Sequence, residues 1–156
     1  MNYLTLFPFL IGSFIAKSQS DAHSGIYSFG ESPENAGGIL YLYPTHDSTY
    51  LFYLELGRGA PSYNSGAMVG EFSLDANSTA HYEITDTSNQ CKLSFLFEEN
   101  SVRISSHEVE NGCRFGFGVS ADGVYTQTSS EVPTYFHNRI GKKTYFQELD
   151  IENWSE

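Results

Sequence analysis

The feature that most limits what this chain can become is a rhythm. Short apolar runs with a two-residue period recur along it, each closed off by Gly, Pro, Asn, Asp or Ser. A period of two places successive side chains on opposite faces of a strand, as a helical period cannot. The run Thr49 to Leu56 (TYLFYLEL) sets Phe52, Leu54 and Leu56 on one face and Leu51, Tyr53 and Glu55 on the other. Both faces are mostly apolar, so this strand is predicted to be central. Gly38 to Tyr43 stops at Pro44, and the turn His46-Asp47-Ser48 follows. Met68, Phe72 and Leu74 share a parity, as do Ala80, Tyr82 and Ile84 after the turn Asp75-Ala76-Asn77-Ser78. No long amphipathic helical pattern is present. These signals predict an all-β fold of about eight to ten short strands, a small antiparallel meander barrel with a β-sandwich as the alternative. The barrel is preferred because consecutive runs read as hairpins and closure removes exposed edges.

The stretch Cys91 to Gly123 carries the two cysteines. Cys91, Leu93, Phe95 and Phe97 fall on one face, and Val102 and Ile104 return after the reversal at Glu98-Glu99-Asn100-Ser101. Cys113, Phe115, Phe117 and Val119 read as one face of a further strand, with Gly116 and Gly118 between them marking a bulge, a barrel corner or a close backbone approach. Both cysteines share the parity of the core, which predicts a Cys91–Cys113 disulfide. It would close a loop of roughly twenty residues, worth about 3 kcal/mol through chain entropy.

At the N-terminus the apolar run Leu4 to Ala16 is too short to span a bilayer, and Ala16-Lys17-Ser18 supplies small residues for cleavage. Residues 1–18 therefore read as a signal peptide, and 19–156 as one secreted or periplasmic β domain with an irregular C-terminal tail. In that tail Pro133 to Phe136 reads as a short helix or 3₁₀ turn, Thr144 to Leu149 as a last strand, and Trp154 as a residue able to dock on the body.

The chain has 19 acidic and 8 basic residues, a net charge of −11. That excludes nucleic acid, which needs clustered Lys and Arg, and argues against an anionic membrane surface. A basic partner would be attracted. The five histidines, His23, His46, His81, His107 and His137, form neither HxH nor HExxH, and no GxSxG elbow, P-loop or EF-hand loop occurs. No catalytic residue, metal ligand or cofactor is therefore assigned, although an active site assembled in space leaves little trace in sequence. The best recognition candidate is the loop Arg58 to Gly66, where Arg58, Ser62, Tyr63 and Asn64 sit in a glycine–proline frame. Its alternative reading is an ordinary hairpin loop with Tyr63 packed down on the barrel.

Three stretches together, Arg58-Gly59-Ala60-Pro61-Ser62-Tyr63-Asn64, Cys91 with Phe95 and Phe97, and Cys113 to Val119 followed by Ala121-Asp122-Gly123-Val124-Tyr125, resemble small uncharacterised secreted β-proteins of Bacteroidetes-type bacteria. That resemblance implies no activity. More distantly, the chain is similar to the periplasmic lysozyme inhibitors, disulfide-bearing β-barrels that insert a Ser-Gly-x-x-Tyr loop into the enzyme's cleft. Here Ser65-Gly66 lies in the loop, Val69 stands at the position of that Tyr, and Tyr63 precedes the pair. The resemblance implies a secreted, non-enzymatic binding protein that acts on a basic secreted protein such as a lysozyme through the 58–66 loop. The other readings are a lipocalin-like carrier of a small apolar ligand and an enzyme of unrecognised type.

Overall fold

A computed structural model describes residues 22–86, 89–107 and 112–155. The signal-peptide reading of residues 1–18 lies outside them. Eight strands make the main sheet: β1 (Gly25–Phe29), β2 (Gly37–Pro44), β3 (Thr49–Gly57), β4 (Ser65–Ser73), β5 (Thr79–Asp86), β6 (Asn89–Phe97), β7 (Ser101–Ser106) and β8 (Gly123–Ser129). Their spatial order is β4-β3-β2-β1-β8-β7-β6-β5, antiparallel throughout. Apart from the β1–β8 pair, every ladder joins strands consecutive in sequence. The chain thus runs up and down through β1 to β4 and again through β5 to β8, and β8 returns to β1. The sheet is a nearly closed barrel whose seam lies between β4 and β5. Across that seam the Tyr82 hydroxyl donates to the Val69 carbonyl at 3.4 Å.

Alternation fills the interior. Leu40, Leu42, Phe52, Leu54, Phe95, Val102 and Tyr125 are each 0% exposed. The rings of Phe52, Phe72 and Phe95 meet with centroids 4.7–5.6 Å apart, the spacing that aromatic quadrupoles favour. Each such side chain contributes about 1.5–3 kcal/mol by leaving water.

The other face of β3 is covered too, as its two apolar parities predict. A second sheet, β9 (Tyr135–His137) with β10 (Lys143–Tyr145), lies over the outside of the barrel. Phe136 and Phe146 from this segment join Tyr53 and Val69 in a second core, with Trp154 at its margin. Phe136 stacks on Tyr53 at 4.0 Å and 10°, and Trp154 meets Tyr53 edge-on at 6.2 Å. The tail is therefore built differently from its sequence reading. Tyr135 and Phe136 are extended, not helical, because Phe136 must face Tyr53 while its backbone pairs with Thr144. The expected last strand breaks after Tyr145, where Phe146 to Glu148 form a 3₁₀ turn that sends Phe146 into the second core. Its start is held by the Phe146 N–H, which donates to the Thr134 carbonyl at 3.1 Å.

The disulfide Cys91–Cys113 is present, with a sequence separation of 22. The segment that follows Cys113 corrects a second expectation. It is not a strand. Cys113 and Arg114 take left-handed backbone angles, φ 46° and 58°, and the chain turns again at Phe117-Gly118. β7 already pairs with β8, so this segment has no place in the ladder. It caps the barrel end instead: Cys113 and Ala121 are buried, Phe115 and Val119 pack partly against the core, and Phe117 stands 85% exposed.

Candidate functional site

The up-and-down course brings the β1–β2, β3–β4 and β7–β8 connections to one end of the barrel. The β3–β4 connection, residues 58–64, is most of the Arg58 to Gly66 loop singled out by composition, and the last two residues of that stretch, Ser65 and Gly66, open β4. Its frame is backbone. The Arg58 N–H donates to the Asn64 carbonyl and the Tyr63 N–H to the Gly59 carbonyl, both at 2.8 Å. The Ala60 N–H reaches across to the Glu34 carbonyl of the β1–β2 loop at 2.9 Å. The Ala60–Pro61 peptide is cis.

Tyr63 does not pack down on the barrel. Its backbone is left-handed, φ 49°, and its side chain is 56% exposed. A non-glycine residue in that region is uncommon and needs surrounding structure to hold it there. Here the phenol hydroxyl donates to the Glu34 carboxylate, and that bond pushes its pKa above the ordinary tyrosine value.

The capping segment supplies the third side. Its Phe117 carbonyl accepts from Asn64 Nδ2 at 2.7 Å and from the Arg58 guanidinium at 3.4 Å. The guanidinium also lies over the Phe117 ring, 5.7 Å from its centroid. Gly118 has φ +73°, which favours glycine, and a Cβ there would fall 2.6 Å from that guanidinium and push the Arg58 side chain aside. The Gly116 N–H donates to the Ser65 carbonyl at 3.2 Å, and Arg139, in the β9–β10 turn, donates to Ser65 Oγ at 2.7 Å. Of the four residues proposed from sequence, Arg58, Tyr63 and Asn64 are each tied to a neighbouring loop, and Ser62 is exposed at the loop's tip. Sequence reasoning missed Glu34, Phe117 and Arg139. The pair of glycines around Phe117 was the one usable signal, since it marks a turn as readily as a bulge.

Between the 30–36 and 58–66 loops lies an open cleft of about 320 Å³. Tyr63 and Asn64 line it from one loop and Pro33 and Asn35 from the other, with Ile39, Glu55 and Gly57 contributed by β2 and β3. The Glu55 carboxylate accepts from the Tyr53 hydroxyl at 2.7 Å. A second cleft, of about 360 Å³, runs between β9 and the outside of β1 and β2, away from this loop. The barrel interior itself is occupied by the protein's own side chains, which counts against an apolar ligand carried there. Among the described residues no group of three or more His, Cys, Asp or Glu side chains gathers as a metal site.

Asp122 anchors the root of the cap. It accepts from the Ser106 N–H, from the Ser106 hydroxyl at 2.9 Å and from the Ser120 hydroxyl at 2.8 Å. Partial burial works to raise its pKa, but these hydrogen bonds outweigh it and hold the carboxyl below its ordinary value. No family model, no curated protein and no solved structure matches this chain.

Proposed function

We propose that this is a secreted, non-enzymatic binding protein that holds a partner protein at the barrel end formed by the 58–66 loop. The observation that carries the reading is the pair of exposed aromatic rings, Tyr63 and Phe117, mounted on one hydrogen-bonded frame. Exposed aromatics on a rigid support give large contact area at little entropic cost, which is the anatomy of an interface anchor. The Arg58 guanidinium over Phe117 adds a donor group suited to the same role. A buried disulfide supports an oxidising compartment. The net charge of −11 favours a basic partner, and a secreted lysozyme is the example to test first.

The test is immobilisation of the secreted chain and measurement of lysozyme binding and inhibition at low salt. Tyr63→Ala and Phe117→Ala are each expected to weaken binding about thirtyfold, the effect of a hot-spot truncation of about 2 kcal/mol. Wild-type affinity in both variants, or no binding of any lysozyme, overturns the lysozyme-inhibitor form of the reading.

A further inference from the structure

The cleft beside Tyr63 has a chemistry of its own. Glu55 belongs to its lining, and the bond from Tyr53 engages only one of the two carboxylate oxygens. The other retains lone pairs for an N–H donor. No lysine or arginine belongs to the lining, and the Arg139 guanidinium reaches only its edge, donating to Ser65 Oγ at 2.7 Å. The Glu34 carboxylate stands at its margin, on the Tyr63 hydroxyl. The negative field is felt by a neighbour: burial first, and then the Glu55 charge, push the Tyr41 phenol above its ordinary value. Tyr63 offers a half-exposed ring along one side, and Asn35 and Asn64 offer amides on opposite sides. At Gly57 the lining is bare, since a Cβ there would meet nothing within 4 Å.

A slot with an aromatic face, a carboxylate and no cation in its own lining disfavours anions. It suits a planar cation that can lie against the ring while it donates to the carboxylate, which describes a guanidinium better than an ammonium. The volume, about 320 Å³, stands at the small end of the ~300–1,000 Å³ range of ligand sites, so one side chain and not a whole cofactor is the fitting occupant. We propose that this cleft receives an arginine side chain of the partner protein, with Glu55 as the charge partner and Tyr63 as the stacking surface. The inference rests on the binding reading above and names the partner's anchoring residue.

The test is an amide-resolved NMR titration of the full secreted chain with N-acetyl-arginine amide, run beside the N-acetyl-lysine and N-acetyl-citrulline amides. The arginine compound is expected to shift Gly57 and Asn64 saturably, with a Kd on the order of 1 mM. Citrulline, which has the shape without the charge, is expected to bind at least about tenfold more weakly. Glu55→Gln should cost about tenfold, and Gly57→Leu, which fills the slot from an unobstructed position, should abolish the shifts while spectral dispersion stays native. Equal binding of the lysine or citrulline compound overturns the proposal, as does arginine binding that survives both variants. The two readings fail separately. If Glu55→Gln and Gly57→Leu hold lysozyme as tightly as wild type, the arginine slot is refuted and the rim reading stands. If the arginine compound binds as expected but no basic protein is captured, the rim reading falls alone.

Discussion

Replacing both cysteines with alanine tests how the barrel and the rim are connected. The bridge spans 22 residues. Chain-entropy loss for a loop of that length amounts to about 11 cal/mol/K, or roughly 3.4 kcal/mol at 25 °C. Cys91 is 0% exposed and Cys113 is 6% exposed, so the missing sulfurs also leave a small void, which adds about 1 kcal/mol. The expected loss is therefore about 4–5 kcal/mol, roughly 10–15 °C in Tm for a domain of this size. The effect should also reach the rim. Cys113 roots the cap, and the cap's Phe117 carbonyl is where Arg58 and Asn64 are held. Urea unfolding monitored by tryptophan fluorescence measures the first quantity, and amide hydrogen exchange measures the second. In the double variant the Arg58, Tyr63 and Gly116 amides should exchange markedly faster under native conditions, while those of β3 keep protection scaled to global stability. A stability change under 1 kcal/mol would refute the loop-entropy argument. Unchanged protection in the 58–66 loop would refute the idea that the disulfide supports the rim through the cap.

Two further outcomes follow from the packing and the charges. Phe136→Ala removes the ring stacked on Tyr53 from a site 1% exposed. It should cost about 3–5 kcal/mol by denaturant unfolding and speed proteolysis within residues 130–155. Asp122 is held below its ordinary value of 3.8, so its contribution to stability is fully present above that value. The contribution is lost as pH falls through the lower folded-state pKa, so wild type should lose stability below pH 3.8. Asp122→Asn should show less of that acid loss when unfolding is followed as a function of pH, and an identical acid limb in the two proteins would contradict the assignment.

Much of the fold is legible in local pattern. Phe52 and Tyr53 are adjacent and both 0% exposed, and the two apolar parities of Thr49 to Leu56 announce that double burial. Cys91 follows the parity of its strand neighbours into the core, whereas Cys113 lies in the capping segment with φ 46°, so the disulfide forms although the strand expected around Cys113 does not. The same reasoning failed at Phe117. Alternation reports which face is buried only where ladder partners hold the chain extended, and the capping segment has none. Phe117 therefore carries the parity of the core and the exposure of a loop tip. The tail departs from its local pattern for a related reason. Nothing local to Tyr135 or Phe146 says that the outer face of β3 waits to be covered.

The candidate site divides in the same way. The glycines, proline, Arg58, Tyr63 and Asn64 mark the 58–66 loop as a turn with polar and aromatic content, because backbone freedom and side-chain chemistry are properties of each residue alone. That Tyr63 would reach Glu34, that Phe117 would offer its carbonyl to both Arg58 and Asn64, and that Glu55 would line a cleft are properties of register and loop juxtaposition. Those contacts join residues 29, 53 and 59 positions apart. Short-range pattern carries no record of such distances. Local pattern is enough to dictate an all-β chain with a cross-tie between its two cysteines. Which loops meet and which aromatic rings remain exposed depends on the return of β8 to β1 and on the cap folded over one end, since both join residues far apart in the chain.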